Sequence, residues 1–242
     1  PFIDWMPFFN AWEFSGRYPD LLNDPVKGVE ARKLFNDAQS MLSTLKAERW
    51  LEPKGVMGIW PAHRDQEDLI VNGLRIPCLR QQKQMADGIP NLSLVDFVDT
   101  QDDYIGGFAV CAGFGIDPHI ERFEADHDDY SSIMLKALAD RFAEAFAEWA
   151  HHRLRTQTWG YAAGESLSND ELIREQYQGI RPAPGYPSCP DHRQKQALWS
   201  LLDVPNKVGI TLTESLAMWP TASVSGFYFA HPQARYFQLG KV

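Results

Sequence analysis

Apolar residues recur three or four positions apart in several stretches of the chain, a spacing that places them on one face of a helix. The predicted helices cover about residues 26–48, 131–155, 169–178 and 191–202. The second has the strongest pattern, and Asp128, Asp129 and Ser131 provide capping groups and negative charge at its N-terminal end. Gly179 suits the end of the third.

Shorter runs rich in β-branched and aromatic residues predict strands, and Asn72-Gly73, a hairpin-type turn signal, closes one of them. The predicted strands cover about residues 55–61, 67–72, 92–98, 104–114, 223–229 and 235–242. Residues 79–86 are ambiguous, and the aromatic opening over 1–9, bracketed by prolines, is a poor regular element. Because strands and helices come in clusters without strand–helix–strand alternation, the pattern favours an α+β fold over a doubly wound sheet.

Composition and charge narrow the class of protein. The 242 residues, 44% hydrophobic and 23% charged, are enough to bury a core, and no linker-like run divides them. The net charge of −9, with scattered cations, argues against nucleic acid or an anionic membrane as the main partner. No apolar run reaches the roughly 20 residues of a membrane-spanning helix. Three widely spaced cysteines and the lack of a secretory leader favour reduced thiols in a cytoplasmic protein.

The most distinctive segment is Arg-Pro-Ala-Pro-Gly-Tyr-Pro-Ser-Cys-Pro-Asp-His at 181–192. Its four prolines fix the backbone, so little entropy remains to be lost when a ligand binds. Gly185 allows close approach to the backbone, Arg181 offers a fork for a carboxylate, and Tyr186 offers a flat face with a hydroxyl. The alternative is a proline-stiffened connector between two helices.

Acidic and aromatic residues supply further candidates. Asp140, Glu144 and Glu148 follow one another at intervals of four on the long predicted helix, where like charges repel weakly in water. They form either a solvated face or a wall for a cationic ligand, which Asp4 could join from the N-terminal segment. The pair Tyr236-Phe237 is either core or a stacking surface for a purine.

Metal and nucleophile signals are weak. Cys189 and His192 form a lone Cys-x-x-His without a second pair, so a structural zinc site is not favoured. The chain has no nucleophile elbow, phosphate-binding loop or dinucleotide-binding glycine motif. No catalytic residue is therefore assigned.

Beyond the loop, long ordered segments of the chain resemble the activation domain of cobalamin-dependent methionine synthase. They include Ile-Asp-Trp-Met-Pro-Phe-Phe at 3–9, Gly-Val-Met-Gly-Ile-Trp-Pro-Ala at 55–62 and Asp-Tyr-Ile-Gly-Gly-Phe-Ala-Val at 103–110. The resemblance extends through residues 79–82, 128–134, 136–148, 180–192, 212–220, 223–229 and 235–237. It implies one α+β domain over 1–242, with a mainly antiparallel, curved sheet and helices packed around it.

The resemblance also implies a function. Such a domain binds S-adenosylmethionine and presents it to cob(II)alamin on a neighbouring domain, where an electron from flavodoxin or a similar reductase allows remethylation and so reactivates the enzyme. The chain would be part of a methyltransferase, with any zinc in another part of the full enzyme. The implied ligand contacts are Asp4, Glu144, Arg181, Ala183, Gly185, Tyr186 and Tyr236, with Phe237 beside them. Asp140 and Glu175 match positions near the docked corrin.

The sequence also departs from this family. Residues 62–88 are shorter than usual and match poorly, so the sheet edge there is uncertain. The chain starts at Pro1 and stops within a predicted strand, and we expect a fragment of a longer protein, trimmed at both ends. The alternative function is a docking module of the same enzyme that binds no ligand in this form.

Overall fold

The computed structural model describes residues 2–240, and a five-stranded sheet forms their centre. Every neighbouring pair of strands is antiparallel, and the strand order is β3-β2-β1-β4-β7. The strands are β1 Lys54–Asp65, β2 Asp68–Val71, β3 Leu74–Pro77, β4 Asp103–Cys111 and β7 Ser223–Tyr228. A separate small hairpin pairs β5 Thr211–Leu212 with β6 Met218–Trp219. The α+β fold with a mainly antiparallel, curved sheet is confirmed.

Helices cover both faces of the sheet. They are α1 Met6–Ala11, α2 Gly28–Glu48, α3 Asp117–Ala125, α4 Asp129–Arg153, α5 Asn169–Ile173, α6 Gln194–Leu202 and α7 Val204–Val208. Alternate residues of β4 face opposite ways: Ile105 joins the apolar cluster that contains Leu198 of α6, whereas Phe108 joins the cluster that contains Ala147 of α4. Because both faces are covered, β4 is buried almost throughout, which explains its nearly continuous apolar sequence.

The two long helices form where the apolar periodicity predicts them. The Asp128 carboxylate accepts a hydrogen bond of 3.0 Å from the Ser131 N–H, which caps the start of α4. α2 ends at Arg49 in the left-handed conformation. Both helices contribute to an apolar cluster shared with Phe8 and Phe9 of α1. The opening segment, predicted to be irregular, therefore contains a short helix that seals this cluster.

Three predicted elements differ from the structure. Residues 92–98 form a 3₁₀ helix over Leu94–Phe97 instead of a strand, because Ser93 and Asp96 cap each other's backbone in a capping box. The helix predicted over 169–178 ends at Ile173, and Glu175 has a left-handed backbone. The strand predicted over 235–242 is irregular through Gly240, and its last two residues lie outside the described residues.

Within residues 2–240 the sequence patterns also missed short elements, among them α3, α7, β3 and the β5–β6 hairpin. Asn72 and Gly73 both have positive φ, 48° and 77°, as the predicted hairpin turn between β2 and β3 requires. Over the same residues, no helix is both long and apolar enough to cross a membrane.

Candidate functional site

The proline loop begins as an extra strand on the free edge of β7. Ile180 exchanges two backbone hydrogen bonds of 3.0 Å with Phe229, and the Phe227 N–H donates to the Pro182 carbonyl at 3.0 Å. Since prolines lack an N–H, the loop stops extending the sheet there and turns away. The sheet therefore fixes where Arg181 and Ala183 stand.

The second half of the loop folds back on itself. The Gly185 N–H donates to the Cys189 carbonyl at 2.7 Å, and the Cys189 N–H donates to the Tyr186 carbonyl at 2.8 Å. Ser188 joins this turn to Phe237: its hydroxyl donates to the Phe237 carbonyl at 2.6 Å and accepts from the Phe237 N–H at 2.9 Å. The Leu239 N–H also donates to the Pro187 carbonyl at 3.3 Å, so the C-terminal segment is held against the loop by both side-chain and backbone hydrogen bonds without forming a strand.

A cavity of about 530 Å³ lies between the loop, α4 and the C-terminal segment. Its lining includes six of the predicted ligand contacts and one predicted docking residue: Glu144, Arg181, Ala183, Tyr186, Tyr236, Phe237 and Glu175. Phe108 and Val224 of the sheet add apolar surface that the sequence did not point to. The volume falls within the range of small-molecule sites, and the lining mixes apolar surface with a few charged groups, as such sites do.

Asp4 lies in a second cavity of about 320 Å³. The two cavities share Glu144, Glu175 and Arg181, so Asp4 stands on the far side of these three residues from Tyr186. Its carboxylate also accepts a hydrogen bond of 3.0 Å from the Met6 N–H, which fixes it at the start of α1.

Two predicted residues lie outside both cavities. Asp140 is exposed on α4, one turn before Glu144. Gly185 is an exposed residue of the loop with a φ of 104°, and a side chain there would point at the ring of His192. Gly185 therefore shapes the loop through its backbone.

The predicted acid stripe on α4 runs from solvent into the protein interior. Asp140 is exposed, Glu144 is half-buried, and Glu148 is buried. Glu148 does not form part of a solvated face, because its Oε2 accepts a 2.6 Å hydrogen bond from Arg181 Nη1. The sequence pattern singled out this acid without identifying its partner.

Arg181 is anchored through one nitrogen. Besides Glu148, Nη1 donates to the Tyr177 hydroxyl at 3.0 Å and lies 3.4 Å from His151 Nδ1. Within residues 2–240, its Nε and Nη2 have no hydrogen-bond partner, and its side chain keeps 19% of its surface exposed. A carboxylate entering the cavity would therefore meet a fixed pair of donors.

Burial shifts the pKa values of Arg181 and of the polar groups around it. Burial lowers the pKa of Arg181, but Tyr177 and Glu148 outweigh that effect and raise it, so the guanidinium stays charged. Desolvation raises the pKa of Glu175, which the charge on Arg181 partly offsets. Burial also raises the pKa of Tyr236, whose hydroxyl accepts a 3.0 Å hydrogen bond from the Arg181 N–H.

The lone Cys-x-x-His has other contacts. The Cys189 thiol donates to Gln194 Oε1 at 2.9 Å, and burial raises the pKa of that thiol to about 12. The His192 ring packs against Gly185. Across the described part of the chain, residues 2–240, no group of three metal-binding side chains is brought together.

The fold and the cavity define an α+β domain with a cavity of small-molecule size at the edge of its sheet, lined by one anchored cation, Arg181, and two carboxylates, Glu144 and Glu175. Comparison with known proteins supports this class. The sequence model of the family described as "Vitamin B12 dependent methionine synthase, activation domain" matches residues 1–242. A crystal structure of the MetH reactivation domain bound to AdoHcy superposes with a TM-score of 0.96 at 51% identity, covering 100% of this chain and 78% of that one.

The chain belongs to the family of vitamin B12-dependent methionine synthase activation domains. The family resemblance predicted from the sequence is confirmed.

Proposed function

We propose that this chain binds S-adenosylmethionine in these two neighbouring cavities and presents it to cobalamin on a neighbouring domain, so that methionine synthase is reactivated by reductive remethylation. The observation that carries the proposal is Arg181, which lines a cavity of ligand size, is anchored through Nη1, and has two nitrogens, Nε and Nη2, without a partner within residues 2–240. A structure of a relative with 51% identity over this whole chain holds AdoHcy, the demethylated form of the same compound.

The chemistry of the lining fits each part of this ligand. Arg181 suits the amino-acid carboxylate, and Asp4 and Glu144 suit its positively charged groups. The backbone of Ala183 and Gly185 and the ring of Tyr186 are proposed to hold the adenosine. Tyr236 and Phe237 close the opposite wall. The alternative function, a docking module that binds no ligand, does not account for this lining.

The chain's own task is binding and orientation. When bound, S-adenosylmethionine would supply the methyl group. The methyl is carried on a sulfonium, whose thioether is a good leaving group, and cobalamin would supply the nucleophile. No proton has to be moved by a side chain, so Arg181 and the loop contribute by holding the methyl group in position. Tyr186 is 63% exposed at the cavity mouth, where a docked partner would approach.

The remaining partners follow from the same proposal. We propose that Asp140, which is exposed one turn before Glu144, and Glu175, which lines the cavity, meet the cobalamin-binding domain when it docks. We propose flavodoxin or a similar reductase as the electron donor and the cytoplasm as the location.

Calorimetric titration of the chain with S-adenosylmethionine tests the proposal. We expect one site per chain, and we expect Arg181→Lys to lose about tenfold or more in affinity, because lysine keeps the charge but cannot form the fork. Arg193→Lys is the matched control, since Arg193 pairs with Asp191 on the surface. Failure of the folded wild-type chain to bind would refute the proposal and favour the docking module.

A further inference from the structure

A buried ionic network includes Arg181 and extends from it into the protein interior, and one of its members, Glu148, also lines the second cavity. The network consists of Glu148, Arg155, Glu165 and Arg181, two acids and two bases. Arg155 has no exposed surface, and the side chains of Glu148 and Glu165 keep 9% and 6% of theirs. Burying four charges is costly unless their geometry is well fixed, so this network is expected to have a role beyond stability.

Arg155 lies in an irregular turn at the end of α4. α4 widens directly after Arg153 into a π-helical turn over Leu154–Thr158, a feature that is rare and frequent at functional sites. The turn brings Arg155 under Tyr177, with its guanidinium carbon 4.0 Å from the ring centroid. The same tyrosine accepts a hydrogen bond from Arg181.

Arg155 also holds Glu148 in place. It donates from Nε and Nη2 to the two oxygens of Glu165, at 2.7 Å each, so its own orientation is fixed. From that position Nη2 lies 3.7 Å from Glu148 Oε1. Glu148 Oε1 has no hydrogen-bond partner within residues 2–240, so the charge on Arg155 is what faces this oxygen.

Glu148 in turn holds Arg181. Its Oε2 takes the 2.6 Å hydrogen bond from Arg181 Nη1 and leaves Nε and Nη2 free toward the cavity. An unanchored arginine would lose several rotatable bonds when it binds a carboxylate, and anchoring lowers that entropic cost. The chain of contacts thus runs from Glu165 through Arg155 and Glu148 to Arg181.

We infer that Arg155 and Glu148 are positioning residues that set the orientation of Arg181 toward the carboxylate of the ligand. The inference rests on the proposed function. It assigns the buried network to the selection of ligands that carry an amino-acid carboxylate.

Two ligands and two variants test it. The affinities of S-adenosylmethionine and of its decarboxylated form, which keeps the adenosine, sulfonium and amine, are measured by calorimetry on Glu148→Gln and Arg155→Lys. We expect a loss of about tenfold for S-adenosylmethionine, the scale of one charged hydrogen bond, and less than about twofold for the decarboxylated form. Arg80→Lys is the matched control, because Arg80 holds Asp96 by two hydrogen bonds as Arg155 holds Glu165.

A second readout covers the case in which a variant is unstable or the decarboxylated ligand binds too weakly. If Glu148 acts through Arg181, Glu148→Gln should cause no further loss of affinity in an Arg181→Lys background. Equal losses for both ligands, or losses that add in the double variant, would overturn the inference and leave Glu148 a merely structural residue. If the wild-type chain binds S-adenosylmethionine and both variants bind it as tightly, the inference fails while the proposed function stands.

Discussion

Arg155 grips Glu165 with two hydrogen bonds of 2.7 Å, one from Nε and one from Nη2, in a part of the chain closed to solvent. The pair ties the end of α4 to the segment that leads into α5 and then into the proline loop. The packing of that segment therefore depends on a charge pair as well as on apolar side chains.

Breaking this pair should be far more costly than breaking an exposed one. We expect Arg155→Met to lose about 3–5 kcal/mol in the free energy of unfolding, since Glu165 would remain buried without the cation that holds it by two hydrogen bonds. Arg193→Met, which removes an exposed partner of Asp191, should have little effect on stability, because solvent screens that pair. Urea unfolding of both variants measures the difference, and similar losses would contradict it.

A substitution at Gly185 is also expected to affect stability and ligand binding. A Cβ there would overlap Cε1 of His192, and its φ of 104° is one that residues with a side chain rarely adopt. We expect Gly185→Ala to lose about 1–3 kcal/mol of stability and to weaken ligand binding, because the loop must shift.

Gly73→Ala is the matched control for that substitution. Gly73 also has positive φ, at 77°, but a Cβ there would meet nothing within 4 Å, so only the conformational cost of about 1 kcal/mol remains. Thermal unfolding and titration with S-adenosylmethionine compare the two variants. If Gly185→Ala cost no more stability than Gly73→Ala and bound ligand normally, the contact with His192 would be unimportant.

The elements that could be predicted from sequence are those whose pattern is local. α2, α4 and β4 repeat apolar residues over many positions, and each forms where expected. The segment 235–240 has aromatic residues like a strand, but its partners are the Ser188 hydroxyl and the side chain of Gln81, which donates to the Gln238 carbonyl at 2.9 Å. Such contacts come from distant parts of the chain and leave no periodic signal.

In the candidate site, too, some residues could be predicted from the sequence and others depend on contacts between distant parts of the chain. The proline loop and the resemblance brought together Arg181, Tyr186 and Tyr236, and the structure places them around one cavity. Spacing alone could not separate Glu144 from Glu148, because both lie on one face of α4 and differ only in what covers them. No sequence pattern indicated a role for Arg155, since the π-helical turn that directs it inward depends on tertiary packing.

Tyr236 is expected to stabilise the loop as well as line the cavity. Its hydroxyl accepts the Arg181 N–H at 3.0 Å, so Tyr236→Phe should lose about 1 kcal/mol of stability and some ligand affinity. Tyr186→Phe removes a hydroxyl that has no such bond within residues 2–240, and its stability should stay within about 0.5 kcal/mol of wild type. Thermal unfolding of the two variants without ligand checks this, and an unaffected Tyr236→Phe would show that the bond contributes nothing.

His151 should make the stability of the domain depend on pH. It is fully buried, stacked 4.9 Å from Tyr228, and its pKa is held well below the usual value by burial first and then by the charges of Arg155 and Arg181. The unfolded chain takes up a proton on this histidine below about pH 6.5, whereas the folded chain does not. The contribution to stability is therefore present above that pH and is lost as the pH falls below it, by up to about 1.4 kcal/mol per pH unit.

Urea unfolding at intervals from pH 7.5 down to pH 5.5 measures this loss in the wild type and in His151→Phe. Phenylalanine keeps an aromatic ring against Tyr228 but cannot take up a proton in the unfolded state. We expect the variant to be less stable than wild type at pH 7.5 and to lose stability less steeply below pH 6.5, so that the two curves converge. Parallel curves over this range would mean that His151 binds its proton equally in the folded and unfolded chains, contrary to its burial between two arginines.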